Sequence, residues 1–367
     1  MTEFYEQVKE RLMRYVRINT ESNPHSTSVP TTSCQNDLAS VIYEELQKIG
    51  ATNVYYDKDT CVVYGSLEAN VKSGRAIGFV THMDTAPDAS GKDVKPWVLE
   101  NYDGNDIVLN KEKDIVMSPS VFPNLKQYIG QDLILTDGTT LLGGDDKASI
   151  AAVMTLLEHL VKHPEIKHNF ISVAFTPDEE VSGLAKDLDL ERFKSPIAYT
   201  LDGDHLGYYM DETFNASLST IEIHGISVHT ATAKGIMKNA VDIGNAFLNI
   251  LPALEKPQYT QGREGFYHVV SFNGDCEYAK IEINVRDHDS LQFDIRNNTL
   301  KMIVDMLNKE YGQGTVNITQ KIQYRNLKEA IDQVPFMIPY LKQAIESVGL
   351  TPQTEPFRGG TDGSALS

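Results

Sequence analysis

The sequence is poor in cysteine, in long apolar runs and in positive charge. Its three cysteines, Cys34, Cys61 and Cys276, lie far apart and form no CxxC pattern. This spacing argues against a disulfide framework and against a thiolate metal site. No run approaches the roughly 20 apolar residues that cross a bilayer, and residues 1–16 are charged throughout, unlike a secretory signal. We therefore expect a cytoplasmic protein.

The charge balance and the length limit the class further. The formal net charge is −18 because 51 acidic residues outnumber 33 Lys and Arg. Nucleic acids and anionic membranes would repel such a protein, so we expect neither as a partner. A chain of 367 residues is long enough for two domains.

Apolar periodicity predicts alternating helices and strands in the first half. Apolar residues recur at helical spacing at Phe4, Val8 and Leu12, and again over residues 38–46 and 147–161. Short apolar runs at 62–64, 76–81 and 170–176 are typical of buried strands. Turns and short hairpins are expected between residues 87 and 141. This alternation indicates an α/β fold with a largely parallel sheet.

The pattern changes from about residue 215. Residues 217–224 and 280–286 alternate with a period of two, and helical stretches cover 239–251 and 291–311. We predict a main domain at 1–212 and 321–367, interrupted by an inserted α+β domain at 213–320.

Four clusters of polar residues lie where the predicted elements end or begin. THMD (81–84), TPDEE (176–180) and LDGD (201–204) follow strands, and GGDDK (143–147) precedes a helix. Loops at the carboxyl ends of strands gather at one edge of an open α/β sheet. One imidazole and several carboxylates suit a divalent cation such as Zn²⁺, Mn²⁺ or Co²⁺. Without a cation the carboxylates would repel one another.

Each cluster alone has a simpler interpretation. The histidine is compatible with an ordinary loop residue, the Asp pair with a helix N-cap, the Glu pair with a solvated strand end and the Asp-Gly step with a turn. Their joint placement at strand ends favours a metal site.

Longer strings carry a resemblance to a known family. HMDTAPD, TLLGGDDKAS, AFTPDEEVSG and VHTATAKG resemble the carboxypeptidase G2-like dizinc metallopeptidase family. EGFYH (264–268) and RGGTDGSALS (358–367) resemble its tripeptide aminopeptidases. The resemblance implies a catalytic domain with a largely parallel mixed sheet flanked by helices, and an inserted α+β lid or dimerisation domain.

The same resemblance implies two divalent ions, expected to be zinc. His82 and Asp202 would bind one ion, Glu180 the other, and Asp145 would bridge them. In the family the pattern continues with a further strand and a histidine ligand, so the second site is expected to lack that ligand in a chain that stops at Ser367.

The resemblance also implies catalytic roles. Asp84 would orient the ring of the histidine ligand, and Glu179 would be the general base for a hydroxide bridged by the metals. His229 would reach the oxyanion, in dimeric relatives from the neighbouring subunit. The peptide bond between Asp145 and Asp146 is expected to be cis.

The implied activity is removal of the N-terminal residue from tripeptides. Arg286 and Lys234 are candidates for the substrate carboxylate, with Asn215 and Arg358 assisting. Small peptides are the expected ligands, and a homodimer through the inserted domain is expected. Two alternatives stay open: another activity of the family (dipeptidase, carboxypeptidase or deacylase), and an inactive peptide-binding relative.

Overall fold

The computed structural model of the chain describes residues 2–181, 185–203 and 205–367. It divides into two compact units, residues 1–202 with Leu366 and residues 203–365 with Ser367. The domain borders after residues 212 and 320 remain a prediction. Among the described residues, no helix is both long and apolar enough to cross a membrane.

The first unit combines helices with a central sheet and two small hairpin-like sheets. Its helices are α1 (Thr2–Tyr15), α2 (Gln35–Ile49), α3 (Gly144–Lys162) and α4 (Leu190–Phe193). Its strands are β1 (Thr52–Asp57), β2 (Val62–Leu67), β3 (Ile77–His82), β4 (Trp97–Leu99), β5 (Ile107–Asn110), β6 (Ile115–Met117), β7 (Leu133–Leu135), β8 (Ile171–Thr176) and β9 (Ala198–Thr200).

The central sheet has the order β1-β2-β8-β3-β9. β3 runs parallel to both β8 and β9, whereas β2 is antiparallel to β1 and β8. Every residue of β2 and β8 is buried, because the sheet is covered on both faces. A strand buried on both faces is continuously apolar, which is why these runs were recognisable in the sequence. The mixed α/β class is confirmed.

Two apolar clusters fill the two faces of this sheet. On one face α1, α2 and α3 pack through residues such as Leu38, Ile42 and Leu157. On the other face Phe193 of α4 packs against Val80 and neighbouring strand residues. The expected hairpin region pairs β4 with β7 and β5 with β6.

The second unit is an antiparallel sheet with helices. Its strands are β10 (Tyr208–Tyr209), β11 (Asn215–His224), β12 (Phe266–Gly274), β13 (Tyr278–Asp287), β14 (Val316–Tyr324) and β15 (Gln353–Thr354). Its helices are α5 (Ala240–Ile250), α6 (Ser290–Tyr311), α7 (Lys328–Ile331), α8 (Met337–Ser347) and α9 (Asp362–Leu366), whose last residue groups with the first unit. The order β12-β13-β11-β14 is antiparallel throughout, and β10 pairs with β15 in parallel.

Alternation along β13 explains why this sheet has one apolar face. Ala279, Ile281, Ile283 and Val285 are fully buried and pack with residues of α5 and α6, while the residues between them are partly exposed. This is the period of two that the sequence predicts for a sheet with helices on one face. α9 was not predicted, because its sequence is rich in glycine and short.

The central position of β13 generates a stability prediction. Ile281→Ala removes fully buried methyl groups, so the free energy of unfolding should fall by about 2–5 kcal/mol. Ile322→Ala on β14 is the matched control, because Ile322 is 46% exposed and should cost about 1 kcal/mol or less. Urea denaturation followed by circular dichroism measures both. Equal losses in the two variants would contradict the assigned core.

Candidate metal centre

The parallel strands bring distant loops to one edge of the central sheet. His82 is the last residue of β3 and lies opposite Thr176, the last residue of β8. Thr200 ends β9, and Asp202 follows two residues later. Because β3, β8 and β9 run in the same direction, the loops after them share one edge.

The start of α3 supplies a further carboxylate. Asp145 and Asp146 have non-helical backbone angles although they lie within the first turn. The peptide bond between them is cis, as the resemblance implied. The side chain of Asp145 is 68% exposed, and its Oδ1 lies 3.0 Å from Nε2 of His82. Asp146 is buried.

His82, Asp145 and Asp202 form a compact donor group. Each offers one possible ligand atom, and these atoms all lie within 4.8 Å of one another. Within the part of the chain that the structure describes, this is the one group of three such residues. An imidazole nitrogen and two carboxylate oxygens are the donors that Zn²⁺ and similar cations take in proteins. The residues present therefore fit a divalent cation.

Asp84 contacts both the histidine and a neighbouring turn. It is fully buried, and its Oδ1 lies 3.3 Å from Nδ1 of His82, on the side of the ring away from Asp145. The same carboxylate accepts the backbone N–H of Glu179 at 2.9 Å and that of Glu180 at 3.2 Å. The backbone carbonyl oxygen of Asp84 lies even closer to Nδ1 of His82, at 3.1 Å. Asp84 therefore fixes the ring through its backbone and its side chain, and its carboxylate also fixes the turn that follows β8.

The ionisable groups of the centre perturb one another. Burial lowers the pKa of His82, but hydrogen bonds to Asp145 and Asp84 outweigh it and raise that pKa well above its ordinary value. The contact with His82 lowers the pKa of Asp145. Burial, and then the charge of Asp145, raise the pKa of Glu180 to about 7. A cation between these groups would favour their ionised forms.

The two glutamates lie in a short turn, Glu179–Val181, directly after β8. Both are half-buried. The charges of Asp145 and Asp202 act on Glu180, but Glu180 is not part of the three-residue group. Asp204, the last residue of the LDGD cluster (201–204), lies outside the described residues.

Three of the predicted site residues of the second unit have exposed or sheet-bound side chains. His229 is exposed, and its Nδ1 accepts the backbone N–H of Ala231 at 3.2 Å. Lys234 is also exposed. Arg286 lies on β13, where its guanidinium donates to the carbonyl oxygen of Ser217 at 3.3 Å.

The other two are engaged inside the second unit. Asn215 is fully buried, and its Nδ2 donates to the carbonyl oxygens of Asp287 and His288. The Arg358 guanidinium donates to the carbonyl oxygens of Gly262 and Glu264, at 2.8 and 2.9 Å. Both side chains hold segments of this unit together, and their contact with substrate stays a prediction.

Sequence reasoning gave no role to two buried side chains beside the centre. Lys147 is 1% exposed, donates to the carbonyl oxygen of Ile18 at 2.8 Å, and has its pKa lowered to about 8 by burial. Asp178 is 4% exposed and anchors the glutamate turn. A charged residue inside a predicted apolar helix was the available signal for Lys147, whereas the partners of Asp178 are remote in sequence.

Comparison with known proteins finds a matching domain profile and similar sequences. The profile described as a peptidase dimerisation domain matches residues 212–315. The chain is 47% identical over 363 residues to peptidase T of Clostridium novyi (strain NT), covering 99% of this chain and 89% of the relative. It is 46% identical over 361 residues to peptidase T of Caldanaerobacter subterraneus subsp. tengcongensis, covering 98% and 88%.

Solved structures share the fold. Aminopeptidase PepT from Bacillus cereus ATCC 10987 superposes with a TM-score of 0.74 at 22% identity, covering 98% of this chain and 87% of that chain. A dinuclear metal binding peptidase of the M20 family from Bacillus subtilis gives 0.61 at 11% identity, covering 100% and 86%.

The donor group generates a binding prediction. His82→Ala removes the one nitrogen donor of the group, so affinity for Zn²⁺ or Co²⁺ should fall at least about tenfold. His268→Ala is the control, because His268 is an exposed strand residue of the second unit. Calorimetric titration of chelator-treated protein measures both. Unchanged affinity in the His82 variant would contradict the assigned centre.

Proposed function

Because this chain belongs to the peptidase T family of metallopeptidases, we propose that it hydrolyses tripeptides at the bond that follows the N-terminal residue. The observation that carries the proposal is the group of His82, Asp145 and Asp202 at the edge of the central sheet. Hydrolysis of a peptide bond needs an activated water and a stabilised oxyanion, and a cation-binding group beside a glutamate is suited to both.

We assign the ligands as follows, with zinc as the proposed metal. His82 and Asp202 would hold one cation, Glu180 would hold a second, and Asp145 is the proposed ligand shared by both. When bound, such cations act as Lewis acids on a carbonyl group and acidify a water molecule. Asp84 keeps the ring of His82 oriented through its contact with Nδ1.

Glu179 is the proposed general base. Its carboxylate takes a proton from the attacking water and then delivers it to the nitrogen of the departing amine. Its backbone N–H is bound by Asp84, so the base and the histidine share one support. This hydrogen bond holds the backbone from which the carboxylate of Glu179 projects, and a base must be held in position to act.

We propose that His229 donates to the oxyanion. Since its Nδ1 accepts the N–H of Ala231, the neutral ring carries its proton on Nε2, and that nitrogen is a donor. Arg286 and Lys234 are the proposed partners of the substrate carboxylate, because guanidinium and ammonium groups are the donors that bind carboxylates. Asn215 and Arg358 would support them. A substrate bound both at its N-terminal end and at its C-terminal carboxylate is selected by the distance between those two groups.

A second copy of the chain is the proposed partner of the second unit. The matched dimerisation profile includes α6. Four exposed apolar residues of α6 form an apolar row along one side of that helix, because they follow one another at intervals of four, seven and four positions: Leu291, Ile295, Met302 and Met306. A row of this kind marks a surface that another chain covers. The cytoplasm stays the proposed location, in keeping with three unpaired cysteines.

The proposed base generates an activity prediction. Glu179→Ala should lower kcat on a free tripeptide by about 10²–10⁴-fold and leave the cation content unchanged. Glu112→Ala, an exposed glutamate of the first unit, is the control. Steady-state kinetics and elemental analysis measure the two quantities. Loss of cation together with activity would show that Glu179 is a ligand and not the base.

The substrate class is tested with a tripeptide, a dipeptide and an N-acetylated tripeptide. Cleavage of the free tripeptide alone supports the proposal. Cleavage of the dipeptide or of the blocked peptide would favour another activity of the family. Peptide binding without any cleavage would identify the chain as a binding relative.

The apolar row of α6 generates a prediction about assembly. Met302→Lys places a charge in the row, so the dissociation constant of the dimer should rise at least about tenfold. Gln292→Lys adds the same charge to an exposed position of α6 outside the row and is the control. Size-exclusion chromatography with light scattering measures the masses. A dimer unaffected by the Met302 variant would place the interface elsewhere.

A further inference from the structure

Asp178 is an acidic residue of the glutamate turn for which the proposed reaction has no use. It is 4% exposed and has a left-handed φ of 63°. Its carboxylate accepts the backbone N–H of Thr31 at 2.9 Å, the hydroxyl of Thr31 at 2.5 Å and the side-chain amide of Gln35 at 2.6 Å. A buried carboxylate that accepts this many hydrogen bonds is held firmly in place.

The partners of Asp178 belong to the segment that leads into α2. Gln35 is the first residue of that helix and is fully buried. The hydroxyl of Thr31 also accepts the backbone N–H of Asn23 at 3.0 Å. In the same segment the backbone N–H of Ser22 donates to the carbonyl oxygen of Thr85 at 3.1 Å. One segment, residues 20–35, therefore contacts the loop after β3 and the turn after β8.

The glutamate turn is held from two sides. Asp84 binds the backbone N–H groups of Glu179 and Glu180. Asp178, the residue directly before them, is tied to Thr31 and Gln35. Neither carboxylate belongs to the donor group of the centre. A general base loses rate when it moves by about an ångström, so the two contacts together define where Glu179 lies.

We infer that Asp178 is a positioning residue, which with Thr31 and Gln35 locks the turn that presents Glu179 and Glu180. The inference rests on the proposed function for its catalytic consequence, whereas the lock itself is a property of the chain alone. It acts through Glu179, because Asp178 points its carboxylate at the segment before α2 and not at the donor group.

A competing explanation is that Asp178 only supplies the left-handed backbone angle. Aspartate, asparagine and glycine all tolerate this region, glycine best. Asp178→Gly therefore keeps the backbone angle and removes the tether. Asp178→Asn keeps the shape, and its amide oxygen can take the place of Oδ1, which accepts from the backbone N–H and hydroxyl of Thr31 and from the side-chain amide of Gln35. The two variants separate conformation from hydrogen bonding.

The experiment compares these variants with Thr31→Val, which loses the hydroxyl, and Thr31→Ser, which keeps it. Asp114→Gly is the matched control, because Asp114 is an exposed aspartate with a left-handed φ of 53° in the β5–β6 hairpin. Steady-state kinetics gives kcat and KM on a tripeptide. Deuterium exchange with mass spectrometry of the metal-free chain reports on residues 176–181.

Asp178→Gly and Thr31→Val should lower kcat about ten- to a hundredfold with KM changed less than about threefold, since each loses hydrogen bonds that hold the glutamate turn. Asp178→Asn should lower kcat by less, because its amide oxygen can still accept from Thr31 and Gln35. Exchange over residues 176–181 should become faster, while the first equivalent of Co²⁺ binds as in the parent chain. Thr31→Ser and Asp114→Gly should match the parent in every readout.

Parent-like kcat and exchange in Asp178→Gly would overturn the inference, because the backbone angle alone would then suffice. Faster exchange throughout the first unit would also overturn it, since Asp178 would then support the fold at large. If the parent chain cleaves no tripeptide, the proposed function fails by itself, and exchange in the metal-free variants still decides whether the lock exists.

Discussion

Mutual repulsion of carboxylates around one buried imidazole is the constraint on which the centre depends. Asp145 and Asp202 bring their oxygens close to His82, and burial together with the charge of Asp145 raises the pKa of Glu180 to about 7. Acidic groups cannot be gathered in this way without a compensating cation, except at the expense of their ionisation. The sheet makes the gathering unavoidable, because parallel strands end at one edge.

Two buried carboxylates, those of Asp84 and Asp178, hold the residues around the donor group in position. Asp84 joins the ring of His82 to the backbone of the glutamate turn, and Asp178 joins that turn to the start of α2. Each is paired with donors that face it, so neither is an isolated buried charge. The donor residues can then meet a cation with little rearrangement, which is what a reaction centre requires.

Much of the fold can be predicted from the local sequence pattern, whereas the roles of the site residues are predicted from the resemblance to a known family. The continuous apolar run 76–81 predicts β3, because a strand buried on both faces is apolar throughout. Helical spacing of apolar residues at 147–161 predicts α3. The convergence of the three clusters that follow strands is predictable from strand direction. The tether from Asp178 to Thr31 is not, since it joins residues 147 positions apart. The burial of Asn215 also escapes prediction, because an asparagine at a strand start is ordinarily solvated. The short helix α9 depends on a capping box at Thr361 in a Gly-rich stretch.

The most direct test of the account is a crystal structure of the chain grown with Zn²⁺, with diffraction data collected at the zinc absorption edge. The account predicts an anomalous peak about 2.0–2.2 Å from Nε2 of His82 and from carboxylate oxygens of Asp145 and Asp202. An ordered site without such a peak, in crystals that hold zinc elsewhere on the protein, would contradict it.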